Sequence, residues 1–311
     1  MATTRQRKWL AASLLAIVAS ASSALAAGGE VGRAGAGRQA RIAPAEPLVT
    51  FTEQASLEPG YRAHFGHADL YIPSFVRPTN GAYDVVVHFH GLKEAQESNV
   101  ERARLNAVIV SVNLGMGSGP YEDAFKDTRA FGALIANVER LVGESARAPG
   151  AHVGRIALSA WSAGYGAVSA ILRDATWTTR VDAVLLADGL HSNYQNEKKH
   201  IVDGAPLAKY ARVAEAAKKG DKLFALTHSS IQTYGYPTAG ETIGELLKIT
   251  SVAKDPNPAT GPRGMREVYE SNRGDFHVKG YEGMGVQDHI DHIKAMYDTL
   301  FPYLKARWSR R

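Results

Sequence analysis

Past residue 46 the chain alternates short, β-branched apolar runs with segments whose apolar residues recur at helical spacing. Residues 48–52, 68–72, 84–90, 107–113, 155–159, 181–187, 222–227 and 276–281 are predicted as strands. Several are apolar without alternation, notably Val85-Val86-Val87 and Val184-Leu185-Leu186. Strands of this kind need cover on both faces, the pattern of a parallel sheet between helix layers. Residues 125–141, 165–172, 241–249 and 289–303 show the spacing of helices. The first strands follow one another too closely for crossovers and are predicted as an antiparallel edge; the β-then-α alternation behind them implies crossovers. The expected fold class is α/β, an open, mostly parallel central sheet with helices on both faces.

The first 45 residues break this rhythm. Arg5, Arg7 and Lys8 precede an apolar run from Trp9 to Ala21, and Ala24-Leu25-Ala26 follows. These are the n-region, h-region and cleavage site of a signal peptide, with cutting predicted after Ala26. Ser13, Ser20 and Ser22 interrupt the run, which falls short of the ~20 apolar residues of a membrane span. A retained anchor is the alternative; a twin-arginine signal has little support, because Gln6 separates the two arginines. Residues 27–45, rich in Gly, Ala and Arg, read as a flexible leader. The organisation predicted is therefore a signal peptide (1–26), a leader (27–45) and one folded domain (46–311), secreted or periplasmic and without a stable membrane anchor after cleavage.

With 311 residues, 45% of them hydrophobic, the chain has material for a large core, which excludes a disordered or fibrous protein. The absence of cysteine excludes a disulfide framework, a thiolate zinc site and a cysteine nucleophile. The net charge of +5, from 36 basic and 31 acidic residues, suggests a polyanionic partner at first. Removing residues 1–26 takes away three basic residues and no acid, leaving 33 against 31, or +2. No basic stripe with interleaved aromatics remains to support nucleic-acid binding.

In an open α/β sheet the functional groups collect at the carboxyl ends of the strands. After strand 155–159 comes Ala160-Trp161-Ser162-Ala163-Gly164, followed by a helical run. Small residues two before and two after Ser162 let a strand turn sharply into a helix with the serine at the apex, a nucleophile elbow. Ser162 capping a helix is the plainer alternative. The motif resembles the elbow of the α/β-hydrolase family, with Ala160 where the usual pattern has Gly, and residues 48–308 fit that family's element order. The resemblance implies a serine hydrolase, specifically a serine esterase of secreted bacterial type, with no cofactor. His88-Phe89-His90-Gly91 then resembles the oxyanion loop, which implies the backbone N–H groups of Leu92 and Ala163 as oxyanion donors. The family order of serine, acid and histidine points to His289, at the mouth of the last helix, as the base, with His292 as the alternative. The usual acid position, after strand 222–227, offers no carboxylate, so Asp188-Gly189 at the end of strand 181–187 supplies the acid; a simple Asp-Gly turn is the alternative.

His90, Trp161, Tyr165, His191 and His228 are candidate pocket residues. His88, His90, His289, Asp291 and His292 could instead form a metal site, although no metal is expected. Gly115-Met116-Gly117-Ser118-Gly119-Pro120 lacks the ending of a phosphate loop and reads as a border of the cleft. Residues 190–220 interrupt the alternation and suggest a small cap or lid, or else a surface helix. The expected substrate is a small-molecule or polymer ester; an amide on the same triad, or an inactive hydrolase-like binding module, are the rivals.

Overall fold

The computed structural model describes residues 59–310, so the signal segment, the leader and strand 48–52 lie outside the described residues. The chain opens with strands β1 (Tyr61–Phe65), β2 (Ala68–Ile72) and β3 (Ala82–Phe89), helix α1 (Lys93–Ala103) and strand β4 (Val108–Val112). Helices α2 (Ser118–Phe125) and α3 (Thr128–Glu144) lead to β5 (His152–Trp161), α4 (Tyr165–Ile171), α5 (Ala175–Arg180) and β6 (Val181–Ala187). A short hairpin, β7 (Tyr194–Asn196) and β8 (Ile201–Val202), precedes α6 (Ala208–Lys218), β9 (Leu223–His228) and α7 (Ala239–Ile249). The last elements are β10 (Asp255–Thr260), β11 (Arg266–Arg273), β12 (Phe276–Tyr281), α8 (Val286–Lys294), α9 (Met296–Thr299) and α10 (Phe301–Ser309).

Ten strands form one sheet in the order β1-β2-β4-β3-β5-β6-β9-β12-β11-β10. The six central strands from β4 to β12 pair in parallel, while β1, β2, β11 and β10 add antiparallel edges. The sheet is thus the mostly parallel one expected, with the first strands antiparallel. Its strands feed two cores, because successive side chains point to opposite faces. Val85, Val87 and Phe89 join the core covered by α3, α4, α6 and α7. Val86 joins the core covered by α1 and α8 to α10, through Val100, Ile293, Met296, Leu300 and Leu304. Each layer of helices therefore answers one half of the uninterrupted Val-Val-Val run.

Two readings of the pattern are corrected. Helical spacing over 289–303 resolves into three helices, because Ala295 leaves helical geometry at φ −98°, ψ 4°, Leu300 stays in the helical region but is distorted to φ −112°, and Pro302 can start a helix but not continue one. The segment after Leu190 is only partly an excursion from the sheet. Helix α6 buries Tyr210, Val213, Ala214 and Ala217 in the larger core, so it is the crossover between β6 and β9 and not a lid. Strands β10 and β11 escaped the sequence pattern for local reasons. Exposed β10 carries Pro256 and Pro258, tolerated at a sheet edge. In β11 the buried positions are Glu267, Tyr269 and Ser271, so its alternation carries little hydrophobic signal.

Candidate active site

Strand β5 ends at Trp161, and the backbone then turns through Ser162 at φ 49°, a left-handed conformation unusual for a residue with a side chain. The turn is closed by neighbours that have no room for one. A Cβ on Gly164 would lie 2.0 Å from the Phe89 carbonyl oxygen, and one on Gly189 2.3 Å from the Ser162 carbonyl oxygen. Ala160, fully buried, occupies the other small position of the motif. Helix α4 starts three residues after Ser162. The strand, tight turn and helix read from the sequence are therefore present, with Ser162 at the apex.

At the end of the adjacent strand β6, Asp188 also takes a left-handed conformation, φ 45°. Its Oδ2 lies 2.6 Å from Nδ1 of His289, 101 residues later. Its Oδ1 accepts from the Ser229 backbone N–H at 2.8 Å and from the Ser229 hydroxyl at 3.0 Å. Burial opposes the charge on Asp188, but the neighbouring His292 and His289 and the hydrogen bonds from His289 and Ser229 outweigh it, holding the carboxyl well below its usual range. Burial pushes His292 itself down to about 4, so it is neutral at pH 7 and the bonds from His289 and Ser229 are what act on Asp188 there. The His292 ring is tied elsewhere, with Nδ1 2.8 Å from the Thr227 hydroxyl. Of the two histidines considered for the base, only His289 hydrogen-bonds Asp188.

The loop after β3 crosses in front of Trp161. His90 and Gly91 have φ of 71° and 101°, and a Cβ on Gly91 would meet Ile293 at 2.4 Å and Trp161 at 3.1 Å. His88 pins this loop from behind: its Nε2–H donates to the His90 carbonyl and its Nδ1 accepts from the Ser159 hydroxyl, each at 2.8 Å. Burial pushes the His88 ring down to about 3, so it stays neutral. The His90 ring stacks on Trp161 with centroids 5.2 Å apart, and Trp161 in turn covers His289 at 4.5 Å. The indole N–H of Trp161 donates to the His289 carbonyl at 2.9 Å. Leu92 ends the loop directly before α1, and Ala163 follows Ser162 in a short 3-10 turn.

One cavity, open to solvent, collects these strand ends. Ser162, Asp188, His289, His90, Trp161 and His191 line it. Among the described residues no hydrogen bond joins Ser162 to His289, so the two share one cavity wall without direct contact of that kind. Tyr165 and His228 stand behind the wall. Tyr165 packs edge-on against His191, and His228 is buried with Nε2 2.6 Å from the Tyr269 hydroxyl. Met116 and Gly117, from the glycine-rich segment read as a border of the cleft, do line the cavity. What the sequence reading missed is the β9–α7 loop, which contributes Ser229, Ile231, Thr233 and Tyr236, with Ala239 at the start of α7. That strand end carries no carboxylate; its signal is Ser229, which holds the Asp188 carboxylate of the neighbouring strand.

Among the described residues no cluster of three or more His, Asp or Glu side chains could hold a metal. The candidate ligands are committed to protein partners: His88 to Ser159, His292 to Thr227, and Asp291 to Arg263 at 2.6 Å.

Comparison with protein-family models and with curated proteins finds no match. Solved structures do match at low identity. A mutant feruloyl esterase module from Clostridium thermocellum complexed with sinapinate is 11% identical, with 79% of this chain and 86% of that one covered and a TM-score of 0.44. Acetyl xylan esterase from Aspergillus awamori is 16% identical, over 79% and 99% of the two chains, with a TM-score of 0.43. An α/β-hydrolase enzyme from the metagenome of Lake Arreo, Spain, is 11% identical, over 81% and 80%, with a TM-score of 0.41. The chain is similar to α/β hydrolases.

Proposed function

We propose that the protein is a serine hydrolase that cleaves a carboxylic ester through an acyl-enzyme. The observation that carries the proposal is the 2.6 Å Asp188–His289 contact beside Ser162 at the apex of its strained turn, all three on one cavity. Asp188 accepts the Nδ1–H of His289, which fixes the tautomer and leaves Nε2 as the base. Ser162 Oγ attacks the acyl carbon and its proton passes to Nε2. The oxyanion accepts hydrogen bonds from the Ala163 and Leu92 backbone N–H groups, each such donor contributing about 3 kcal/mol in the transition state. Collapse expels the alcohol, which takes the proton from Nε2. Water then attacks the acyl-enzyme by the same route, with His289 again as base, and releases the acid and free Ser162.

Replacing Ser162 by Ala should lower turnover of p-nitrophenyl acetate at least about a thousandfold and prevent labelling by a fluorophosphonate. Retained turnover in pure Ser162→Ala protein would sink the assignment. An ester-to-amide substrate pair measures the leaving-group preference. The signal-peptide pattern supports export, and an exported protein whose first residue is not Ala27 would refute cleavage after Ala26.

A further inference from the structure

We infer that Trp161 is a positioning residue that sets the proton affinity of His289. The inference rests on the reading of His289 as the base. Trp161 touches His289 in two ways: its indole N–H holds the backbone carbonyl at 2.9 Å, and its ring lies 4.5 Å from the imidazole at a tilt of 32°. That separation is inside the ~6 Å range over which an aromatic face attracts a cation, and indole is the strongest of the natural faces. His289 gains a positive charge each time it takes the serine proton, so the indole face stabilises the state that matters for catalysis.

The other face of the indole is occupied by His90, stacked at 12°. Two cations on one indole would repel each other, and the structure avoids this. The His90 ring is anchored by Nδ1 on the Tyr121 hydroxyl at 2.9 Å, and Tyr121 is itself held among Asn113, Leu114 and Gly115. Burial first, and then the charge of His289, push His90 down to about 4. The stack is therefore asymmetric: a neutral imidazole backs the indole, and the imidazole read as the base faces it.

Other titratable and charged groups surround His289, and none has this geometry. Asp188 and His191 come from the end of β6, His90 from the end of β3, and Asp288, Asp291 and His292 from helix α8 itself, with Arg263 paired to Asp291. Asp188 favours the imidazolium through Nδ1, in the plane of the ring; Trp161 acts on the ring face. A rival effect of the indole is opposite in sign, since apolar cover disfavours a charged imidazole. The two can be separated by the direction of the shift when the indole is removed.

The test uses the full chain and Trp161→Leu and Trp161→Phe variants. The readouts are the acid limb of the kcat/KM profile on p-nitrophenyl acetate and the midpoint of the His289 ring-proton NMR titration. With Trp161→Leu both should move to lower pH by about half a unit, with Trp161→Phe giving a smaller shift in the same direction. An unchanged midpoint in Trp161→Leu, or one moved to higher pH, overturns the inference, whatever happens to the rate. Trp161→Phe keeps a ring in the stack and serves if the leucine variant does not fold. The titration does not depend on turnover, so failure here is distinguishable from failure of the hydrolase reading, which Ser162→Ala tests separately.

Discussion

Asp188→Asn is the change whose consequence the structure lets one work out atom by atom. The two oxygens of Asp188 face different partners: Oδ1 receives both the Ser229 N–H and the Ser229 hydroxyl, and Oδ2 faces Nδ1 of His289. An asparagine must place its carbonyl oxygen toward the two Ser229 donors, because an NH₂ there would confront an N–H. Its NH₂ is then forced toward His289, where it donates to Nδ1 and moves the imidazole proton to Nε2. The ring would present a donor to Ser162 where the proposed reaction needs an acceptor. The expected cost is about 10⁴ in kcat, or ~5 kcal/mol of transition-state stabilisation, in line with the wrong-tautomer effect in serine hydrolases. The side chain keeps its shape and its Ser229 bonds, so the fold should survive with a thermal midpoint within about 5 °C of the parent. Steady-state kinetics on p-nitrophenyl acetate, with calorimetry on the same samples, separates the two. A variant within tenfold of the parent kcat would refute the reasoning; a collapse in thermal midpoint would show that Asp188 serves the fold and not the base.

Gly189→Ala should disable the site through the backbone. Its Cβ would fall 2.3 Å from the Ser162 carbonyl oxygen and 2.5 Å from its amide nitrogen, so either the elbow or the end of β6 must move. Activity should fall by about a hundredfold or more, as expected when reacting groups shift by about an ångström, and a variant with parental kcat/KM would show that the close approach is unimportant. Stability should fall steadily with acid. His88 and His292 are pushed down to about 3 and about 4 by burial, below the unfolded value near 6.5. Between pH 6.5 and those values the unfolded chain binds protons that the folded one refuses, so the stability present above pH 6.5 is lost as pH falls through it. By pH 5 the loss is about 2 kcal/mol for each ring. Asp188, held low, loses its contribution only below about pH 4 and does not compensate. A thermal midpoint that is flat between pH 7.5 and 5 would contradict this account.

Much of the fold was legible because its central strands are buried on both faces. Val85-Val86-Val87 and Val184-Leu185-Leu186 carry that burial in their composition, and the small residues around Ser162 mark a turn that no larger side chain permits. Strands β10 and β11 were illegible because their contacts are those of an edge, with polar residues such as Glu267 buried against Lys279 and Asn257. A pattern of hydrophobicity contains no record of a buried ion pair.

The chain alone therefore determined the α/β class and the tight strand-to-helix turn at Ser162, because these follow from burial periodicity and local geometry; Asp188 and His289 were candidates implied by the resemblance, each with an alternative. The tertiary structure decided the rest. It brought residues 188 and 289 to 2.6 Å, turned His292 to Thr227, set Ser229 against the Asp188 carboxylate, and placed Trp161 between two imidazoles. Contacts between residues 41 to 128 positions apart depend on how strands order themselves in the sheet and how loops pack above their ends. That information resides in the summed packing of the whole core, and no segment read by itself contains it.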